Sequence, residues 1–399
     1  MTLSVRPEPY LIPAYSLTGD LLAYLNCGLQ YRYHNRGSLP PSKPVQLWFG
    51  QFIHGVMEEA YRVWKSGASP LPWSDTDIEP ITDFIIRRLA ARGLDYQRTE
   101  LLEIALQRAR VSINTWGAEL FPLIAEAEVR LKGIRPMPPG TVTIRRSNYY
   151  EVEGVVDVLT SVELSSATSS NPIVDAVLLS LGAQTYEVIV DYKGMRRPRI
   201  DEPAWEHQAW QILTYAWLRE QQPDADSVRS GILLYINELV PSASDMDDLR
   251  EEVLGGNVPL TDELPTDSDL EALQDWPQIK RSWQNQMRSW RQQRRNWYQT
   301  GRAQGQPVPI MPQMPQPLSM QYRKRRSLRV IPIDSNSVNT SLTRFDGVVS
   351  EIEACVAQES AGSSLTGTWP TIRRQRTCVV CDFKTFCPNS PYQGAPEAP

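Results

Sequence analysis

A chain of 399 residues, 41% hydrophobic and 22% charged, has room for one large domain or two ordinary ones and apolar material for a sizeable core. Met1 to Ser16 include Arg6, Glu8 and three prolines, unlike a signal peptide, and no apolar run approaches the roughly 18 residues of a membrane helix. A cytoplasmic protein without a membrane partner is expected, in which patterned cysteines read as metal ligands. The net charge of −5 argues against a nucleic-acid binder, but that average hides a segregation. Eleven acids and one base lie between Asp245 and Asp275, whereas Trp276 to Ile333 hold twelve Lys/Arg and no acid. Fields act locally, over a Debye length of about 10 Å at 0.1 M salt, so the basic block can attract a polyanion.

In chain order, residues 46–64 place Phe49, Ile53, Val56, Met57, Ala60 and Trp64 at helical spacing, which predicts an amphipathic helix. Further helices are predicted near 76–93 and 99–125. Short β-branched and aromatic runs at 127–132, 149–162 and 185–192 predict strands, 203–220 a helix and 229–238 another strand. This alternation predicts an α/β core with a mixed central sheet flanked by helices. From Pro241 an acidic linker is expected, then a helix over 276–301, irregular chain over 303–320 and a last helix near 340–357 before a cysteine-containing tail. The expected division is a core over 1–240, an inserted helical element over 241–335 and a closing segment over 336–399.

Asp157 lies in the strand EVEGVVDVLT, and Asp191 and Lys193 in YEVIVDYKG. Side chains at i and i+2 of a strand share a face, so Asp191 and Lys193 project together while Tyr192 turns away and leaves its carbonyl near the same edge. If the strand of Asp157 lies alongside, two carboxylates, a carbonyl and an amine converge, a set suited to Mg²⁺ or Mn²⁺. Such an ion polarises a phosphodiester and activates water, with Lys193 to position that water or offset developing charge. Taken singly, Asp-x-Lys is also an ordinary surface pair, and His54, flanking the apolar stripe of its helix, an ordinary structural histidine. Gln211 and Tyr215, four apart, share one helix face.

Taken in order, Gly50-x-x-x-His54, Gly154-x-x-Asp157, Asp191-x-Lys193 and Gln211-x-x-x-Tyr215 resemble the RecB-type branch of the PD-(D/E)XK nucleases over roughly residues 45–240. The resemblance implies a restriction-endonuclease-like fold and a metal-dependent DNA nuclease. His54, Asp157, Asp191 and the Tyr192 carbonyl would be ligands, Lys193 the catalytic amine, and Gln211 and Tyr215 would line the DNA path.

The tail reads RTCVVCDFKTFCPNS, giving Cys378, Cys381 and Cys387, which call for a fourth ligand, and among cysteines only Cys27 or Cys355 can supply it. Cys355 falls mid-helix among apolar residues, the setting of a buried thiol. Four cysteines suit zinc or an iron–sulfur cluster, and spacing does not decide between them. One cysteine before the core and three after it resembles the iron–sulfur nucleases, among them CRISPR spacer-acquisition exonucleases and the AddB subunits of recombination nucleases. That implies a [4Fe–4S] clasp, an exonuclease on single-stranded or frayed DNA ends, and a helicase or CRISPR-adaptation protein as partner. A zinc-clasped endonuclease and a catalytically silent DNA-binding scaffold are the competing readings.

Trp276, Trp283, Trp290 and Trp297 repeat every seven residues among Arg288, Arg291, Arg294 and Arg295. Tryptophans so placed either stack on bases beside phosphate-binding arginines or form an apolar seam. The arginines are expected to contact DNA. The compact relatives lack this insertion of roughly 90 residues.

Overall fold

The computed structural model describes residues 12–36, 45–67, 69–139, 147–163, 171, 173–175, 185–256, 264–371, 378–379 and 381–392. A short strand β1 (Ala14–Ser16) leads through a π-helical turn to helices α1 (Leu22–Asn26) and α2 (Gly28–Tyr31). Three long helices follow, α3 (Val45–Lys65), α4 (Asp75–Ala91) and α5 (Thr99–Leu120), then β2 (Ile124–Pro136), β3 (Tyr149–Glu163) and β4 (Thr185–Lys193). The crossover helix α6 (Pro203–Glu220) returns the chain to β5 (Val228–Tyr235). After it come α7 (Ile236–Leu239), α8 (Ala243–Leu254), α9 (Asp267–Asn296), α10 (Met320–Arg326), β6 (Leu328–Pro332), α11 (Ser335–Ser360) and α12 (Leu365–Thr368).

The six strands form one mixed sheet in the order β1-β3-β4-β5-β6, with β2 also paired to β3. β2 runs antiparallel to β3 from Tyr149 to Thr160. β1 pairs with Glu151–Glu153 in parallel and β4 with Val158–Glu163 in antiparallel sense. The ladder between β3 and β4 thus ends at Val158↔Val190, and the two strands part just where Asp157 and Asp191 follow. β4 and β5 pair in parallel, which requires a crossover such as α6.

Alternation along the strands feeds two cores. Val188, Val190 and Tyr192 of β4 pack with Phe52, Ile53 and Val56 of α3 and with Ile113 and Trp116 of α5. Ile189 faces the other way, with Ile212 and Leu218 of α6 and Phe345 and Val349 of α11. Gly231 in β5 lets α6 approach, since a Cβ there would stand 2.0 Å from Ile212 Cγ2. The α/β architecture expected from the sequence, a mixed sheet flanked by helices, is the one observed.

The chain ends meet on the α6 side. Tyr24 and Tyr31 pack edgewise or tilted on Trp369, the Leu29 N–H donates to the Pro370 carbonyl at 3.1 Å, and Arg32 pairs with Glu359. Cys355 is buried on α11 beside the Tyr24 hydroxyl, as its apolar neighbours suggest.

Several boundaries depart from the sequence reading. The helix expected to reach 125 stops at Leu120 because Pro122 follows, and the chain turns into β2. The strand expected over 229–238 ends at Tyr235. The acidic stretch after Pro241 is not all linker. A capping box between Ser242 and Asp245 starts α8, and a second between Thr266 and Asp269 starts α9 nine residues earlier than expected.

The insertion has its own small core of Met246, Leu249, Val253, Leu273, Trp276, Leu318 and Tyr322. The tryptophan repeat belongs to packing. Indole N–H groups of Trp283, Trp290 and Trp297 donate to the carbonyls of Pro312, Pro309 and Gln306 in turn. Seven helical residues rise about 10.5 Å and three extended residues span about 9–10 Å. The proline-rich return segment therefore matches the helix step for step, running antiparallel to it.

Candidate nuclease site

Where β3 and β4 part, two groups of polar side chains meet. On the α3 side, His54 Nδ1 lies 3.3 Å from Asp157 Oδ1, and the Tyr192 N–H donates to Asp157 Oδ2 at 2.8 Å. The Asp157 carboxylate thus takes a main-chain donor freed by the end of the β3–β4 ladder. On the α6 side, Lys193 Nζ stands 2.6 Å from Asp191 Oδ2 and donates to Gln211 Oε1 at 2.7 Å. The amide of Gln211 turns back to Asp191 Oδ1 at 3.2 Å and to the Tyr215 hydroxyl at 2.9 Å. One glutamine therefore braces both the lysine and the aspartate, and the Gln-x-x-x-Tyr spacing holds that glutamine in place. Gly154 also has a reason to be glycine, because a Cβ there would stand 2.6 Å from the Tyr215 ring. A Cβ at Gly50 would meet nothing within 4 Å, so packing does not account for that glycine.

The electrostatics sort the two carboxylates. Burial acts to raise Asp157, but His54 and the Tyr192 N–H outweigh it and hold the carboxyl below its ordinary range. Asp191, only 2% exposed, is pushed above that range by burial despite Lys193. Its Oδ2 is buried and accepts no hydrogen bond of good geometry, so the lysine charge is its partner. Burial acts to lower His54, and the Asp157 charge overcomes this and raises the imidazole to about 9. Since this lies above the unfolded value, the protonated pair stabilises the metal-free protein below about pH 6.5 and that contribution fades as pH rises through about 9. In EDTA, the melting-temperature gap between wild type and His54→Ala is expected to shrink from about pH 6 to about pH 10. A gap that stays constant across that range would contradict the pairing.

A groove of about 470 Å³ runs past His54 and Asp157, walled by Glu58, Arg88, Arg92 and Glu128 among others. None of these four stood out in the sequence. Glu58 follows His54 by one helical turn and could have been found from that spacing. Glu128 could not: it sits opposite Asp157 in β2 with φ 55°, a left-handed backbone unusual for a non-glycine residue inside a strand. Burial first, then Asp157 and Glu58, raise its carboxyl.

The four cysteines Cys27, Cys378, Cys381 and Cys387 line one pocket together with Tyr33 and Phe383. None of the four forms a disulfide, and burial followed by the neighbouring Cys27 and Cys387 pushes Cys378 up. Among the described residues, no three His, Cys, Asp or Glu side chains are drawn close enough to hold an ion as they stand. No helix among the described residues is long and apolar enough to cross a membrane.

The insertion's arginines separate. Arg288, Arg291 and Arg295 are exposed, whereas Arg294 is half-buried, its guanidinium 5.1 Å from the Trp290 ring and 5.7 Å from that of Tyr298. Farther along, Arg326 and Arg329 are buried, the first against Glu238 and Glu252, the second over Trp205. Part of the basic block is thus consumed by the fold.

A search of curated proteins finds no match to the chain. A family model described as the PD-(D/E)XK nuclease superfamily matches residues 19–388, which take in β3, β4, α3 and α6 with all four polar motifs and the four clustered cysteines. The chain belongs to the PD-(D/E)XK nuclease superfamily.

Proposed function

We propose that the protein is a Mg²⁺- or Mn²⁺-dependent deoxyribonuclease that trims single-stranded or frayed DNA ends. The observation that supports it most is the bracing of Lys193 between Asp191 and Gln211, beside the point where Asp157 caps the parting strands. His54, Asp157, Asp191 and the Tyr192 carbonyl are the donors that would hold the ion, an oxygen-rich set fitting a hard cation. When bound, the ion supplies Lewis acidity to the scissile phosphate and to the hydrolytic water. Asp191 holds the Lys193 amine in place, and Gln211 fixes its direction. That amine then offsets negative charge growing on the phosphate and orients the attacking water. The choice of ends over internal sites, and a setting in CRISPR adaptation or recombinational repair beside a helicase or adaptation protein, rest on the RecB-type resemblance. An end-labelled ladder, processive from one terminus, supports the exonuclease reading, and scattered internal cuts refute it.

The cysteine pocket is proposed to hold a [4Fe–4S] cluster, with zinc as the rival occupant of the same four thiols. Four sulfur donors around one pocket, joining Cys27 to a tail some 350 residues away, suit a clasp on chain ends that already touch. Cys27→Ser, purified without oxygen, is expected to lose visible absorbance, iron and sulfide and to melt at a lower temperature. Chain entropy sets a ceiling on the order of 5 kcal/mol for the lost clasp. Full iron content in the variant would remove Cys27 from the set, and stoichiometric zinc in the wild type would replace the cluster.

A further inference from the structure

Arg281, Arg288, Arg291 and Arg295 are spaced seven, three and four residues apart on α9, with Gln284 at the missing step. They share one stripe about 21 Å long, a quarter turn from the tryptophan seam that Met287 and Arg294 join. All four arginines are exposed. The contacts seen for two of them are to amides: Arg295 donates to Gln292 at 2.9 Å, and Arg288 lies 3.5 Å from Asn285 Oδ1. No Asp or Glu occurs from Trp276 to Ile333, so this helix offers the stripe no carboxylate of its own there. Packing does not use these side chains.

The C-terminal end of the stripe lies near the start of α5. Arg294 Nη2 reaches Thr99 Oγ1, the first residue of α5, at 3.5 Å. The last turn of α4 and the chain leading on to α5 carry Arg88 and Arg92, both walls of the groove that holds His54 and Asp157. Arg87 and Arg98 are exposed in the same stretch, which also carries the acids Asp95 and Glu100.

We propose that Arg281, Arg288, Arg291 and Arg295 form a phosphate track that carries a nucleic-acid strand from α9 past Arg92 and Arg88 to the catalytic groove. This deepens the nuclease reading and takes its end point from it. Guanidinium groups bind phosphate bidentately, and a strand presents a phosphate at every step, so a track of this kind grips without reading sequence. Between Arg281 and Arg295 the stripe is made of Arg, Gln and Asn, with no apolar side chain among them to insert into a lipid surface, which favours nucleic acid over a membrane.

The test uses the full chain carrying Lys193→Ala, with fluorescein-labelled oligodeoxythymidylates of about 6 and about 30 nucleotides, one within and one well beyond the roughly 4–16 nucleotides that a single OB-fold groove covers. The wild-type track is expected to bind the longer strand more tightly. Replacing Arg281, Arg288, Arg291 and Arg295 by Gln should remove that gain, about tenfold or more at low salt, and lower the salt slope by about 3. Affinity for the short strand and the melting temperature should not change. Equal losses for both lengths, no loss for either, or preference for anionic phosphatidylserine vesicles over the long strand would each overturn the track. If the chain with Lys193 restored never cleaves DNA, the nuclease reading fails separately, because the length dependence is read from binding alone.

Discussion

Lys193→Ala is expected to lower DNA cleavage by about 10³-fold while leaving affinity for single-stranded DNA nearly intact. The size of the effect follows from position. Lys193, half-buried, is the ion partner of buried Asp191 and is aimed by Gln211, so its action depends on this one placement. The variant also strands Asp191, whose carboxyl burial already pushes up, and which without the amine becomes more easily protonated. Single-turnover cleavage alongside anisotropy titration separates the two quantities. Lys193→Arg keeps the charge but brings a planar fork where a compact ammonium fits, and should recover only a small part of the rate. Turnover of Lys193→Ala near wild type would remove the lysine from the chemistry.

Arg326→Ala is expected to cost about 3–5 kcal/mol of stability, the effect of breaking a buried ion pair from one side. Arg326 Nε stands 2.9 Å from Glu238 Oε2 and Nη2 3.4 Å from Glu252 Oε2, with all three side chains buried. Glu252 belongs to α8 in the insertion, Arg326 closes α10 just before β6, and Glu238 lies in α7 of the core. Glu238 also accepts the Arg197 N–H at 2.8 Å, four residues beyond Lys193. Removing the guanidinium leaves two carboxylates buried together and loosens both the insertion and the turn after β4. Denaturant unfolding reads the loss. Pairing Arg326→Met with Glu238→Gln and Glu252→Leu should regain much of it, since a buried ion cluster can be replaced by apolar packing. A loss below about 1 kcal/mol for the single variant would show that the cluster is solvated.

The sequence carried most of what builds the site because that information is local. The i, i+2 parity of Asp191 and Lys193 and the four-residue step from Gln211 to Tyr215 translate directly into shared faces, and the structure joins those faces through Gln211. What stayed hidden depends on contacts far apart in sequence. Glu128 enters the groove through an unusual backbone angle in β2, which no composition or period announces. β6 is five residues long and follows a basic run that masks it, yet it pairs with β5 from Ser230 to Leu234. The start of α9 was readable from Thr266 and Asp269, but acidic composition suggested a linker. The tryptophan repeat was ambiguous until the proline-rich return segment supplied carbonyls at the matching pitch. Charge counting could not tell Arg326, buried in an ion cluster, from Arg288, exposed on α9.

The most direct test of the account is cleavage of end-labelled single- and double-stranded DNA by anaerobically purified protein in Mn²⁺, Mg²⁺ or EDTA, with Lys193→Ala alongside. Cutting that needs the metal and the lysine is the predicted result. Binding without cutting by both proteins in every buffer would contradict it.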